Sequence, residues 1–243
     1  MASFVLIHGA FHGGWCFDPV VEILREQGHE VVAPDLPGMG GDEQALREAS
    51  LDAWADFTAD LCRDLRSRAD GPVILAGHSR GGLVISATAE KYPDAMSGLV
   101  YIAALMCPDE NGLEAFHAAA PGHDDILAAM QPEANGAGLA FAPDFAPEAF
   151  YHRSPANLAE AAVSKLVTEP AATLASNVPV TADRWGRIPR TYIECTDDRT
   201  LDIAFQRAMI GLSPGTQVVT LDADHSPFYS ATEELAEALL SLA

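Results

Sequence analysis

The chain has 243 residues, of which 49% are hydrophobic, a size and composition typical of one soluble globular domain with a large core. Its 14 basic and 35 acidic residues give a formal net charge of -21, which argues against nucleic acid or an anionic membrane surface as a partner and favours a neutral ligand. No apolar run reaches the length of a membrane span and no signal peptide precedes the first strand, so we expect a cytoplasmic protein. The four cysteines lie apart from one another, which indicates reduced thiols and no zinc site.

Short apolar runs alternate with helical stretches along the first hundred residues. Strands are predicted at 4–8, 30–34, 73–77 and 98–103, and helices at 17–27, 50–68 and 82–91. Ser50 is expected to cap the second of these helices. Alternation of this kind predicts a parallel sheet with right-handed crossovers and helices on both faces.

The alternation stops between about residues 106 and 187. This segment is expected to hold mainly helical pieces, at 113–119, 124–130, 147–152 and 155–167, separated by proline and glycine. The alternation then resumes with strands at 190–195 and 217–221 and helices at 201–211 and 231–242. We therefore predict an α/β core of about six mainly parallel strands, built from residues 1–105 and 188–243, with a helical cap, residues 106–187, inserted in it.

A candidate nucleophile lies where the third predicted strand meets the following helix, in Gly77-His78-Ser79-Arg80-Gly81. In a G-x-S-x-G turn the serine backbone is strained, and the flanking glycines allow the strand and helix to pass closely. The serine hydroxyl then projects above the sheet. The pattern alone is weak, but the apolar strand before it and the helix after it supply the context that the mechanism requires.

A serine nucleophile needs a base, and the base needs a group that orients it. His225 follows the last predicted strand, and Thr196-Asp197-Asp198 follows the strand before it, so both reach the same sheet edge as Ser79. The spacing alone leaves Asp197 and Asp198 open, and Asp109 is a third candidate because it follows the fourth strand. Asp224 is disfavoured because it adjoins the histidine in the chain.

An oxyanion formed during attack on a carbonyl would need backbone donors at the same edge. The amide of Arg80 lies at the start of the helix after the nucleophile, and the amide of Ala10 lies in the glycine-bearing loop that leaves the first strand. We therefore predict an oxyanion hole formed by the backbone N–H groups of Ala10 and Arg80.

Four segments together resemble a known group of enzymes. They are Phe4 to Trp15 (FVLIHGAFHGGW), the nucleophile turn, Cys195-Thr196-Asp197-Asp198, and Asp224-His225-Ser226-Pro227-Phe228. They resemble the small α/β-hydrolases grouped with plant methylesterases and hydroxynitrile lyases. The resemblance covers nearly the whole chain, implies that Asp198 is the acid of a Ser79–Asp198–His225 triad, and matches Ala10 and Arg80 to the oxyanion amides.

The same resemblance separates two activities. The lyase branch typically has threonine at the position of Gly9 and lysine directly after the catalytic histidine, where this chain has Ser226. Gly9 and Ser226 therefore resemble the esterase branch. Arg80 departs from the group, since most members carry an uncharged residue there.

Side chains around the predicted site fall into two groups. The candidate substrate-binding residues are Phe11, Leu105, Phe141 and Trp185, with Phe116, Met130 and Phe150 as further apolar cap residues. His8 and His12 are expected to support the oxyanion loop by hydrogen bonds, and His78 to serve in packing. The Arg80 side chain is expected to form a salt bridge with an acidic residue, in preference to binding a substrate carboxylate.

The function predicted from these observations is that of a serine carboxylesterase hydrolysing a small to medium neutral ester through an acyl-enzyme. No Walker loop, dinucleotide glycine pattern or metal-ligand cluster is present in the sequence, so we expect neither a cofactor nor a metal. The alternatives are C–C cleavage of the hydroxynitrile lyase type and a hydrolase-like protein that only binds a small molecule. The sequence leaves open whether the chain forms a homodimer.

Overall fold

The structure is a computed structural model that describes residues 1–106, 124–174 and 176–243. The strands within these residues are β1 (Ser3–Ile7), β2 (Glu30–Val32), β3 (Val73–His78), β4 (Gly98–Ile102), β5 (Met130–Glu133), β6 (Gly138–Phe141), β7 (Glu169–Pro170), β8 (Arg190–Cys195) and β9 (Gln217–Leu221). Six of them form one parallel sheet in the order β2-β1-β3-β4-β8-β9. The predicted six-stranded parallel core is therefore confirmed.

Helices cover both faces of this sheet. Those described are α1 (Asp18–Glu26), α2 (Glu43–Glu48), α3 (Leu51–Arg68), α4 (Gly81–Lys91), α5 (Asp124–Ala128), α6 (Ala146–Phe150), α7 (Ala156–Val163), α8 (Ala171–Leu174), α9 (Ile203–Gly211), α10 (Pro227–Ser230) and α11 (Thr232–Leu240). Successive strand residues point to opposite faces, so Leu75 packs toward α3, α4 and α9, whereas Ile74 and Ala76 pack toward α1 and α11. The core is thus two apolar layers separated by the sheet.

The predicted elements of the core agree with the observed ones to within a few residues. Both β8 and β9 have the predicted bounds, and α3 begins after Ser50, whose hydroxyl accepts a hydrogen bond from the Ala53 amide at 3.1 Å. Helix α2, a short helix capped by Asp42, was not predicted, because its six residues are too few to show helical periodicity.

The segment between β4 and β8 contains more strand than was predicted. Helices α5, α6 and α7 lie within or close to predicted helices, but β5, β6 and β7 form an additional three-stranded antiparallel sheet. These strands have two to four residues each, too few for alternation of apolar and polar side chains to reveal them. The predicted helix at 113–119 lies outside the described residues, and the cap boundaries at 106 and 187 stay a prediction.

The path of the chain places the loops after β1, β3, β8 and β9, which carry the candidate site residues, at one edge of the sheet. From β1 the chain moves outward to β2 and then returns to β3 on the other side of β1. At such a switch point the loops after the two neighbouring strands diverge and leave a crevice at their carboxyl ends. Among the described helices, none is both long and apolar enough to cross a membrane.

Candidate active site

The turn after β3 has the strained geometry expected of a nucleophile elbow. Ser79 has a φ of 52°, in the left-handed region that residues with a Cβ rarely adopt. A Cβ atom built on Gly77 would lie 2.5 Å from the Gly81 carbonyl oxygen, and one on Gly81 would lie 2.6 Å from the Ile7 carbonyl oxygen. Both glycines are therefore required by close contact between backbones, and together they hold Ser79 at the sheet edge.

The structure brings Ser79, His225 and Asp198 into one hydrogen-bonded line. The Ser79 Oγ lies 3.0 Å from His225 Nε2, and His225 Nδ1 lies 2.8 Å from Asp198 Oδ2. Because a carboxylate accepts hydrogen bonds, the proton belongs on Nδ1, which leaves Nε2 as the acceptor for the serine hydroxyl. This arrangement can activate the hydroxyl as a nucleophile.

Asp198 is held by more than the histidine. Its Oδ1 accepts hydrogen bonds from the backbone amides of Thr200 and Leu201, at 2.7 and 2.8 Å. The side-chain amide of Gln206 donates to Oδ2 at 3.2 Å. Sequence reasoning missed Gln206, a buried residue on α9, because nothing in the residue pattern shows that this helix face meets the Asp198 loop.

The other acidic candidates lie in different surroundings. The side chain of Asp197 is 49% exposed and points toward His152 and Arg153. Asp224 is buried and accepts hydrogen bonds from the amides of Ser226 and Arg153, so it shapes the histidine loop instead of meeting the imidazole. Asp109 lies outside the described residues. Of Asp197, Asp198 and Asp224, only Asp198 meets the His225 ring.

His78 supports the backbone of the loop that carries His225. Its Nε2 donates to the His225 carbonyl oxygen at 2.6 Å, and its ring lies 4.7 Å from the His225 ring. Burial holds the pKa of His78 well below its usual value, so the ring is neutral. His78 therefore orients the backbone that carries the base, a more specific role than the packing that was predicted.

The predicted oxyanion amides border the same cavity as Ser79. Ala10 and Arg80 both contribute to its wall. Neither backbone N–H donates to another described residue, whereas the next amide, that of Phe11, donates to a Glu169 carboxylate oxygen at 3.2 Å. Two donors beside the nucleophile thus keep their hydrogen-bonding capacity, which is the property that an oxyanion site needs.

His8 and His12 support the loop that carries Ala10, as predicted. His8 Nδ1 donates to the Gly9 carbonyl oxygen at 2.8 Å, and His12 Nδ1 donates to that of Ala10 at 2.7 Å. Burial is the main cause that lowers the pKa of His8 to about 3 and the pKa of His12 to about 4. Both rings are therefore neutral at physiological pH.

These lowered pKa values predict that the protein loses stability in mild acid. The unfolded chain takes up protons at histidine below about pH 6.5, while the folded chain leaves His8 and His12 neutral down to about pH 4. The contribution of these neutral histidines to the free energy of unfolding is therefore fully present above pH 6.5. Below pH 6.5 it falls by about 1 kcal/mol per pH unit for each such histidine. Urea unfolding at pH 7.0, 6.0 and 5.0 measures this slope.

A matched variant identifies the source of that slope. In His8→Gln one of these buried histidines no longer titrates, so the free energy of unfolding should fall less steeply between pH 6.5 and 5. Substitution of His29, which is only partly buried, serves as the control. An unchanged slope in His8→Gln would contradict the assignment.

A mostly apolar cavity of about 150 Å³ opens in front of Ser79. The polar residues of its wall are His12, His78, Ser79, Arg80, Thr200 and His225. Its apolar wall comes from the core loops and from the cap, namely Phe11, Leu105, Ile126, Leu127, Met130, Phe150, Leu174, Leu201 and Phe205. A cavity of this kind suits an apolar group attached to the reacting carbonyl.

Two of the four predicted substrate-binding residues line this cavity and two do not. Phe11 and Leu105 are in its wall. Phe141 packs behind it, with its ring 5.3 Å from that of Phe11 and 4.5 Å from that of Phe150. Trp185 lies in the core layer, where its indole N–H donates to the Tyr101 hydroxyl at 2.7 Å. The structure therefore places neither Phe141 nor Trp185 in the wall of this cavity, and Phe116 lies outside the described residues.

The Arg80 side chain forms the salt bridge that was predicted. Its Nε lies 2.9 Å from Oε1 of Glu169, and both side chains are almost completely buried. The charge of the guanidinium is therefore paired with that of Glu169, while its Nη1 makes no hydrogen bond to another described residue. No cluster of His, Cys, Asp and Glu side chains that could hold a metal ion occurs within the described residues.

Comparisons with known proteins agree with this geometry. Residues 4–238 match a family model described as the alpha/beta hydrolase family. A pyrethroid hydrolase from Sphingobium wenxiniae is 35% identical, with 100% of this chain and 88% of that protein covered. Methylesterase 7 from Arabidopsis thaliana is 32% identical, with coverages of 99% and 96%. A crystal structure of a pyrethroid hydrolase matches with a TM-score of 0.82 at 33% identity, covering 99% of this chain and 97% of that one.

Proposed function

The chain belongs to the α/β-hydrolase family, and we propose that it is a serine carboxylesterase that cleaves small to medium neutral esters through an acyl-enzyme. The observation that carries this proposal is the line of hydrogen bonds from Ser79 through His225 to Asp198, beside a mostly apolar cavity that Ser79 and His225 help to line. The relatives named above are a hydrolase and an esterase, which supports the same class of reaction.

The proposed reaction begins with attack of Ser79 Oγ on the ester carbonyl carbon while His225 Nε2 takes the hydroxyl proton. The tetrahedral intermediate collapses, the C–O bond to the alcohol breaks, and the alcohol leaves with the proton from Nε2. Water then attacks the acyl carbon with His225 again acting as the base, and the carboxylic acid leaves as the serine hydroxyl re-forms.

Two further sets of groups act in this scheme. Asp198 keeps the proton of the neutral ring on Nδ1 and stabilises the imidazolium that forms during each transfer. The amides of Ala10 and Arg80 bind the oxyanion, and one such donor typically contributes 10² to 10³ in rate. These roles for Asp198, Ala10 and Arg80 are part of the proposal.

Hydroxynitrile cleavage is not favoured by the surroundings of Gly9. A Cβ atom at this position would lie 2.9 Å from both His78 Nδ1 and Ser79 Cβ, so a threonine would force neighbouring side chains to move. The residue after the catalytic histidine is a fully buried serine, which offers no ammonium group to a departing cyanide. We therefore expect no cyanide release from mandelonitrile.

The charge of the site predicts a preference for uncharged acyl groups. A substrate carboxylate would lose its hydration in the apolar cavity, and the charge of the Arg80 guanidinium is already paired with that of Glu169. We expect kcat/KM for p-nitrophenyl hexanoate to exceed that for mono-p-nitrophenyl adipate, which has the same number of acyl carbons, by at least about tenfold.

Alkaline hydrolysis of the same two esters gives the control for their intrinsic reactivity. Equal kcat/KM values after this correction would contradict the proposed preference for neutral esters. Slow turnover of every ester, combined with tight binding of the acid product, would instead favour the binding-protein alternative.

A further inference from the structure

The peptide that carries the Ala10 N–H is anchored through its carbonyl group. The Gly9 carbonyl oxygen accepts hydrogen bonds from His8 Nδ1 at 2.8 Å and from Arg80 Nη2 at 3.1 Å. In a trans peptide the C=O and N–H bonds point in opposite directions, and the described residues contain no cis peptide. Fixing the Gly9 carbonyl therefore fixes the direction of the Ala10 N–H.

The Arg80 guanidinium that donates this bond is itself held in place. Its Nε lies 2.9 Å from Glu169 Oε1, and its Nη2 donates to Glu169 Oε2 at 3.3 Å. Its Cζ lies over the Trp54 ring, 4.5 Å from the ring centroid, and the side chain is 1% exposed. A bidentate pair of this kind restricts both side chains to one geometry. The buried Glu169 thus fixes the orientation of the Arg80 guanidinium.

Glu169 also contacts the oxyanion loop directly. Its Oε2 accepts a hydrogen bond from the Phe11 amide at 3.2 Å, and the Val167 amide two residues earlier donates to the Phe11 carbonyl oxygen at 2.9 Å. Phe11 has a φ of 64°, which is unfavourable for a residue with a side chain and persists only where neighbouring groups hold it. Residues 167 and 169, just before and at the start of β7, therefore bind both the N–H and the C=O group of this strained residue.

We propose that Arg80 and Glu169 are positioning residues for the oxyanion hole, a role that rests on the proposed esterase function. Arg80 contributes one donor through its backbone N–H, and its side chain aligns the other donor by binding the Gly9 carbonyl. Glu169 fixes this side chain and the loop together. A buried ion pair contributes little to stability, because both charges lose their hydration. Alignment of the Ala10 N–H therefore gives a physical reason for a charged pair at a place where apolar side chains would fit.

The charge of the guanidinium has a second consequence. A hydrogen bond from a cation to a carbonyl oxygen polarises the peptide, which makes its N–H a stronger donor. The Ala10 amide is therefore both better aligned and more strongly polarised than the same amide in a loop without Arg80.

The test is the double variant Arg80→Met/Glu169→Gln. It keeps both backbone donors and the acceptor for the Phe11 amide, and it removes both charges together so that neither is left unpaired in the interior. We expect kcat for p-nitrophenyl hexanoate to fall roughly 10- to 100-fold with little change in KM, because misalignment weakens a contact made mainly in the transition state. Active-site titration with a fluorophosphonate corrects the rates for any inactive protein.

Two further measurements separate positioning from general damage. The affinity for an alkyl trifluoromethyl ketone, which forms an oxyanion on Ser79, should weaken by the same factor as kcat/KM, while the affinity for the matching methyl ketone should not change. The pH dependence of kcat/KM should keep its midpoint, since His225 and Asp198 are untouched.

A matched double variant, Glu194→Gln/Arg207→Met, removes another ion pair with a buried carboxylate, in which the Glu194 and Arg207 side chains lie 2.8 Å apart. It should retain the wild-type kcat and ketone affinities. The positioning role is overturned if Arg80→Met/Glu169→Gln keeps full kcat, or if it loses affinity for both ketones equally. Absence of hydrolysis by the wild-type protein would instead refute the proposed esterase function.

Discussion

Ser79→Ala should lower kcat for p-nitrophenyl hexanoate by roughly 10⁴- to 10⁶-fold, the range seen when a triad nucleophile is removed. The substitution deletes the oxygen that lies 3.0 Å from His225 Nε2 and leaves the cavity and the oxyanion amides in place. Folding should be preserved, because alanine has the same backbone requirements at this strained position as serine. The measurement is the steady-state rate, with the far-UV circular dichroism spectrum as evidence of folding.

Covalent labelling provides a test that needs no knowledge of the natural ester. An activated serine reacts with a fluorophosphonate, so the intact mass of the wild-type protein should increase by one adduct, and Ser79→Ala should give none. Ser164→Ala serves as the control, since Ser164 is an exposed serine directly after α7 whose hydroxyl donates to the Ala161 carbonyl oxygen. Labelling that persists in Ser79→Ala would place the nucleophile elsewhere.

The position of the candidate catalytic residues could be predicted from the sequence because each of them follows a strand of the core. Parallel strands bring their carboxyl ends to one edge, so Ser79 and His225 could be predicted to lie at the same edge of the sheet. The choice of Asp198 over Asp197 needed more, because both follow β8. In the structure it depends on the Thr200 and Leu201 amides, which capture one carboxylate oxygen and turn the other toward His225.

The cap and the residues of the cavity wall are harder to predict from the sequence than the residues that follow the core strands. Apolar residues such as Phe141 and Trp185 suit a pocket and a core equally well, and only the packing of neighbouring elements decides between them. The role of Glu169 likewise could not be predicted from the sequence pattern. A salt bridge for Arg80 could be expected from composition, but its partner lies 89 residues away on a two-residue strand that no periodicity reveals.

Asp198→Asn should lower kcat/KM by roughly 10⁴-fold, although asparagine has nearly the same shape as aspartate. The amides of Thr200 and Leu201 require an acceptor at the position of Oδ1, so the asparagine oxygen must take this place. Its NH₂ group then faces His225 Nδ1, which must become an acceptor. The ring proton moves to Nε2, where it prevents acceptance of the serine proton.

The neighbouring aspartate provides a matched control for this effect. Asp197→Asn makes the same chemical change one residue earlier, on a side chain that is 49% exposed and faces His152 and Arg153. Since exposed ion pairs contribute little, we expect its kcat/KM to stay within about threefold of wild type. Comparable losses in the two variants would refute the proposal that Asp198 orients the base. A large loss in Asp198→Asn alone would mean that the tautomer of His225, set by one carboxylate oxygen, controls the activity of Ser79.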